Sequence, residues 1–335
     1  MTEMERADRI RIAILGAGRI AGTMAETLRD MKEKDERYCC YAVAARDKER
    51  AERFADTYGF LKAYGSYEEM LSDENVDLVY IATPHSHHYS HIKLCLEHGK
   101  HVLCEKAFTV NAGQAREVLA MAEEKHLLLA EAIWTRYMPM RNTINEVLAS
   151  GVIGKPFMLT ANLCYRITHK ERLVRPELAG GALLDVGIYP LNFAVMAFGA
   201  DISDIESSVQ LLETGVDAQE TITIKYRDGR MASLTASAYG VSDRKGMIYG
   251  EEGFLEVENI NNPQSVTVYD KDYRAVKTIM CPPQVSGYEY EVLSCLDAIE
   301  AGKTECPEMP HAEIIRMMEF MDRIRGQWGL VYPCE

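Results

Sequence analysis

Ile12-Ala13-Ile14-Leu15 runs straight into Gly16-Ala17-Gly18-Arg19-Ile20-Ala21, and a helical pattern follows. A short apolar strand, a glycine turn and a helix, in that order, are what a dinucleotide-binding turn requires. Gly16 permits the tight turn, Gly18 lets the backbone approach a pyrophosphate, and Ala21 is small enough for the helix to pack on the strand. The free N–H groups at the helix start, with the positive end of its dipole, attract phosphates. Gly16, Gly18, Arg19 and Ile20 are therefore candidate cofactor contacts, and nicotinamide redox chemistry is the expectation.

Composition sets the frame around this turn. The chain has 335 residues, more than one core usually supports, so two domains are expected. It is 47% hydrophobic and 26% charged, as soluble globular proteins are. A formal net charge of -14 argues against a nucleic-acid backbone or an anionic membrane as partner. No stretch reads as long and apolar enough to span a bilayer, and the polar leader 1–9 does not read as a signal peptide. Nine scattered cysteines, none in a C-x-x-C pair, fit reduced thiols in the cytoplasm and no metal site.

Strand-like stretches at 10–15, 38–45, 77–82, 101–104 and 127–132 alternate with helical patterns at 20–31, 47–58, 88–97 and 111–125. Ser66-Tyr67-Glu68-Glu69 reads as a capping box opening a further short helix. Such alternation predicts a parallel sheet with helices on both faces. After Trp134 the pattern changes. Strands are expected at 157–165, 205–213, 220–226, 230–238, 245–250, 253–259 and 265–269, with helices at 140–149, 187–198, 288–301 and 310–328. Consecutive strands predict an α+β domain with a largely antiparallel sheet. The division is placed at 1–130 and 131–335.

Four clusters carry the candidate chemistry. Arg46 precedes Asp47 at the end of the second strand, where an arginine suits the extra phosphate of NADP and an acid suits the ribose of NAD; NADP is favoured. Thr83-Pro84-His85-Ser86-His87-His88 lies past the strand that ends at Ala82. Thr83, His85 and His88 are candidate cofactor contacts, with His88 expected to reach a ribose. Glu105-Lys106-Ala107 closes another strand, so the Lys106 stem is expected to emerge into the crevice, where opposing charges tune its proton exchange. Gly180-Gly181-Ala182-Leu183-Leu184-Asp185-Val186-Gly187-Ile188-Tyr189 places Asp185 and Tyr189 one helical turn apart. A buried Asp185 needs a cation or donor, and Lys106 is one candidate; the plain alternative is that Asp185 is the N-cap of its helix.

Together these clusters resemble the Gfo/Idh/MocA oxidoreductases over nearly the whole chain, most closely their dihydrodiol and D-xylose dehydrogenase branch. Glu131-Ala132-Ile133-Trp134-Thr135-Arg136-Tyr137 is similar to that branch as well. The resemblance implies a Rossmann domain followed by an α+β domain with an open, mostly antiparallel sheet often used to dimerise. It implies hydride transfer between NADP, or NAD, and a carbinol carbon of a sugar, polyol or cyclic diol. Lys106, Asp185 and Tyr189 become the catalytic residues. Glu105, Lys106, Trp134 and Arg136 border the cofactor, and Tyr165, Arg166 and Arg175 line the substrate side. Two other functions share the fold: an NAD-dependent glycoside hydrolase and a non-catalytic NADP-binding regulator. Ala107 stands where the family usually has proline. A cis bond before a residue other than proline costs about 2.5–4 kcal/mol, so a trans Lys106–Ala107 peptide is expected.

Overall fold

The computed structural model describes residues 9–32 and 34–335. The stretch 1–8 of the leader lies outside the described residues. The chain forms two compact units, residues 1–134 with 284–316, and residues 135–283 with 317–335.

The first unit is built on six parallel strands in the order β3-β2-β1-β4-β5-β6. These are β1 (Ile10–Leu15), β2 (Tyr38–Ala44), β3 (Lys62–Tyr64), β4 (Leu78–Ile81), β5 (His101–Glu105) and β6 (Leu129–Ala132). All four residues of β4 and all four of β6 are buried, as in a sheet covered on both faces. The helices between them are α1 (Arg19–Met31), α2 (Lys48–Tyr58), α3 (Tyr67–Leu71), α4 (His85–Glu97) and α5 (Ala112–Glu124). Side chains of Asp47, Ser66 and Asn111 cap α2, α3 and α5. The strand order reverses between β1 and β4, where ligands of such sheets bind. Leu15 pairs with both Ala44 and Ile81, and Ile81 with Cys104, so β1, β2, β4 and β5 end level. Gly16, Ala45, Ala82 and Lys106 follow those ends.

The sequence boundary near 130 does not carry the rest of the chain with it. Residues 284–316 return to the first unit, where a helix (Glu289–Glu300) packs on α1 and β5. Arg37 of the first unit bonds to Asp297 at 2.6 Å, and His311 Nε2 meets the Leu129 carbonyl at 2.9 Å. Local periodicity carries no mark of such a return, because long-range packing alone fixes it.

The second unit holds eight strands in the order β14-β13-β12-β11-β7-β10-β9-β8. They are β7 (Pro156–Cys164), β8 (Ile202–Leu211), β9 (Asp217–Tyr226), β10 (Met231–Ser237), β11 (Gly246–Gly250), β12 (Gly253–Val257), β13 (Ser265–Asp270) and β14 (Ala275–Met280). β7 and β10 run parallel, and every other neighbouring pair is antiparallel. Along β10, Ala232, Leu234 and Ala236 are buried while Met231, Ser233 and Thr235 are exposed, the alternation of a sheet covered on one face. The covering elements are a π-helical turn (Leu183–Gly187) and the α-helix that continues it (Ile188–Phe198).

Two further differences from the sequence reading stand out. β3 has only three residues, and β14 is almost wholly exposed, so neither shows an apolar alternation. The segment Pro176–Phe198 is, by length and composition, apolar enough to cross a membrane, contrary to expectation; 89% of its most apolar window is buried in the protein. Its apolar residues serve the core of the second unit.

Candidate active site

In the first unit the glycine turn has the form a dinucleotide needs. Gly16 sits at φ +101°, and a Cβ there would fall 3.1 Å from Thr83 Cγ2 and 3.2 Å from the Ala82 carbonyl oxygen. Gly16 N–H donates to the Ala44 carbonyl at 2.9 Å, which fixes the turn on β2. Gly18 occupies the N-cap of α1 with no side-chain cap, so the first N–H groups of the helix are left for a ligand. Arg50 donates from Nε and Nη2 to the Ala17 carbonyl at 3.0 and 2.6 Å and braces the turn from outside. These residues fit a pyrophosphate.

Arg46 is exposed at the end of β2. Asp47 beside it accepts N–H bonds from Glu49 at 3.0 Å and Arg50 at 3.4 Å, so its carboxylate is committed to capping α2. The positive charge of Arg46 reaches His87, His91 and Tyr67. Burial, with help from the neighbouring His87, His88 and Arg46, pushes the His91 pKa down to about 4. Thr83 Oγ1 lies 3.0 Å from His91 Nδ1. His85 is buried with its ring edge-on to His88.

His88 is where expectation and structure part. Its ring is fully buried, with Nδ1 2.8 Å from the Ala107 carbonyl and Nε2 2.8 Å from the Thr83 carbonyl. Both nitrogens face backbone carbonyls, and the neutral ring donates to one of the two, so it packs between β4's exit and β5's exit rather than reaching a ribose. Two carbonyls would suit an imidazolium, which has two donors. Burial of the charge outweighs them and holds the pKa down, at about 4.

Glu105 is buried and accepts from the Tyr80 hydroxyl. Lys106 follows it and is half-buried. The Lys106–Ala107 peptide is cis, against the expected trans form. The surroundings fix the chain there: His88 meets the Ala107 carbonyl, Phe108 N–H donates to Glu131 Oε1 at 3.1 Å, and Ala107 is fully buried. Trp134 stacks on Tyr288, with ring centroids 4.2 Å apart and planes 11° from parallel.

In the second unit Asp185 and Tyr189 are 5% and 8% exposed and straddle the junction of the π turn and its helix. Asp185 is not the N-cap; it lies inside the turn. Its Oδ1 accepts from Arg172 Nη1 at 2.9 Å, so within this unit a guanidinium meets its need for a cation. Arg136 is buried and donates from Nε to Asn192 Oδ1 at 2.7 Å, and Asn192 donates in turn to the Ile188 carbonyl at 2.8 Å. Arg136 thereby braces the helix that carries Tyr189. Tyr165 is half-buried, and its hydroxyl accepts from Asn261 at 3.1 Å. Arg166 is exposed. Arg175 is exposed and pairs with Glu171 at 2.7 Å, whereas Arg172 bonds to Asp185.

A model described as an oxidoreductase family with an NAD-binding Rossmann fold matches residues 10–132, and the GFO/IDH/MocA C-terminal domain matches residues 142–256. The chain belongs to the Gfo/Idh/MocA oxidoreductase family. Trans-1,2-dihydrobenzene-1,2-diol dehydrogenase of Mus musculus is 34% identical, over 97% of this chain and 98% of its own length. The Homo sapiens enzyme of that name is 32% identical over the same shares. A 3-ketoreductase from Actinomadura kijaniata, solved with NADP and TDP-benzene, superposes with a TM-score of 0.87 at 25% identity, over 95% of this chain and 97% of its own. As a Gfo/Idh/MocA member the chain is an NAD(P)-binding oxidoreductase.

Among the described residues no group of three or more His, Cys, Asp or Glu side chains is placed to hold a metal ion. The histidines at 85, 87, 88 and 91 are spent on backbone, on hydroxyls and on one another. Arg172, Asn192, Tyr80 and Tyr288 stand in no motif that marks them in the sequence. A lone Glu131 within the apolar run 127–133 did carry a signal, since a buried acid needs a donor, here Phe108 N–H.

Proposed function

We propose that this enzyme moves a hydride between NADP and a carbinol carbon of a sugar, polyol or cyclic diol. Bound at the glycine turn, the nicotinamide dinucleotide supplies hydride acceptance and donation. The chain's own residues do the rest. Gly16 and Gly18 admit the pyrophosphate, and Arg46 holds the 2′-phosphate with a charge-assisted bond. Tyr189 and Lys106 handle the proton of the reacting hydroxyl. Asp185, held by Arg172, fixes the charge balance beside Tyr189. Tyr165, Arg166 and Arg175 remain candidates for the substrate side, and Trp134 and Arg136 for the cofactor side. The observation that supports the reading is the pair Asp185 and Tyr189, two buried ionisable groups one turn apart on one π-to-α junction inside a largely apolar segment. Polar groups are placed there at a cost that packing alone would not impose. The diol dehydrogenase relatives and the NADP-bound ketoreductase point the same way.

The test is NADPH formation over a panel of aldoses, inositols and cyclic diols, repeated with NAD. Lys106→Met and Tyr189→Phe should each lower kcat by on the order of 10²–10⁴, the range of general acid–base catalysis. The double variant should be little worse than either, because groups that act as a unit are non-additive. Near wild-type turnover in Lys106→Met defeats the assignment. We also assign a cytoplasmic homodimer. The exposed Met158 and Met231, register partners on the open face of the second sheet, support an interface there. Light scattering at micromolar concentration checks the mass, and a monomer removes this part.

A further inference from the structure

Beneath the π turn, β9 carries two acids that the proposed chemistry does not use. Asp217 is fully buried, and its Oδ2 accepts from Leu183 N–H, the first residue of the turn, at 2.5 Å. Glu220 is 2% exposed, and neither of its carboxyl oxygens has a hydrogen-bond partner. Both press against glycines of the segment above them. A Cβ on Gly181 would fall 2.1 Å from Asp217 Oδ1, and one on Gly187 would fall 2.3 Å from Glu220 Oε1. The segment 181–187 is thus shaped around two carboxyl groups, one at each end of the turn that holds Asp185.

We propose that Asp217 and Glu220 are positioning residues for Asp185 and Tyr189. Asp217 anchors the start of the π turn through its N–H groups, and Glu220 fills the notch under Gly187, two residues before Tyr189. The two contacts clamp the turn at both ends and set the angle at which it presents its acid and its phenol. π turns of this kind survive where a side-chain direction has to be held against the ordinary helical ladder. Protonation fits the roles. Burial raises the Asp217 pKa only to about 6, because the N–H groups of Leu183 and Ala182 and the charge of Arg325 favour its anion. Burial and the neighbouring Asp217 charge push Glu220 well above the carboxylate range, so Glu220 is the neutral partner. An anion facing N–H groups and an uncharged acid filling a notch are the arrangement that least disfavours two carboxyls in one apolar layer.

This inference rests on the reading that Asp185 and Tyr189 act in catalysis, and the experiment separates the two. Wild type, Glu220→Gln, Glu220→Ala, Gly187→Ala and the double variant Gly187→Ala/Glu220→Ala are compared in the full-length chain. The measurements are kcat and KM for NADPH formation on the best substrate of the panel, and amide hydrogen exchange with no substrate present. Glu220→Ala and Gly187→Ala should each lose at least tenfold in kcat with KM within about twofold. Exchange should speed up at 183–189 and stay unchanged over β11–β13. Glu220→Gln, a neutral isostere, should keep at least ten times the kcat of Glu220→Ala. The double variant should be more active than Gly187→Ala, because the added methyl then meets vacated space. Wild-type kcat and exchange in Glu220→Ala overturn the proposal, as does a double variant no better than Gly187→Ala. Asp185→Asn and Tyr189→Phe are the controls: full turnover in both removes the catalytic reading, while the exchange data still decide whether the two acids hold the turn.

Discussion

His88 makes acid stability a direct reading of the crevice floor. Its ring is fully buried between the Thr83 and Ala107 carbonyls, with a pKa of about 4 against an ordinary 6.5. The unfolded chain therefore takes up a proton on this residue at a pH where the folded chain refuses it. The sign follows: stability is full above pH 6.5, falls as the pH drops through 6.5, and stops falling near pH 4. The loss from this ring reaches about 2 kcal/mol at pH 5 and about 3 kcal/mol below pH 4. The assay is urea unfolding in a Trp328→Phe background, so that Trp134, stacked on Tyr288, reports the first unit alone. His88→Gln should be less stable than its parent at pH 7.5, and the gap should narrow by about 2 kcal/mol at pH 5. His91 shifts in the same direction, chiefly through its own burial; the part of its shift that His88 supplies is lost in His88→Gln, which narrows the gap in acid in the same sense. A gap that stays constant or widens in acid would refute the argument. It would mean that the native ring carries two protons, one for each carbonyl, and that burial loses to hydrogen bonding here.

Three further outcomes follow from geometry. Arg46→Ser should raise KM for NADP by roughly tenfold to a hundredfold and leave KM for NAD unchanged, since a charge-assisted bond contributes about 1.5–3 kcal/mol and Asp47 is engaged in its cap. Gly16→Ala combines a φ of +101° with contacts of 3.1 and 3.2 Å, so it should lose about 1–3 kcal/mol in thermal unfolding and bind dinucleotide more weakly in titration calorimetry. Arg325 is buried, bonding to Asp322 at 2.7 Å and to Glu335 at 2.5 Å; Arg325→Met should cost about 3 kcal/mol in the second unit, read from Trp328 fluorescence.

The parallel sheet was legible because each of its longer strands is an apolar run bounded by a turn signal, and because Asp47, Ser66 and Asn111 mark three helix starts by side-chain chemistry alone. The glycine turn was legible for the same reason: Gly16 is needed by backbone conformation, which a sequence displays. What escaped depends on contacts between distant residues. Spacing shows Asp185 and Tyr189 one turn apart, but not that the turn is of the π form, nor that its first residue bonds to Asp217 on a strand some thirty residues later. Spacing equally could not choose Arg172 over Arg175. His88 looked like a ligand-facing group because histidines after a strand often are; only the position of the Ala107 carbonyl shows that the ring is already used. The Lys106–Ala107 peptide was misread because the intrinsic preference of a non-proline bond was weighed without the bonds around it.

The return of 284–316 has a consequence for synthesis. The helix Glu289–Glu300, with Val292, Cys295 and Leu296 buried, packs on β5 and α1, and it leaves the ribosome about a hundred and eighty residues after the strand it covers. A nascent chain paused anywhere before residue 284 carries a nucleotide-binding sheet with one flank bare. The interval is a natural window for chaperone engagement, and truncated transcripts ending in it should yield aggregating products rather than a working half-enzyme.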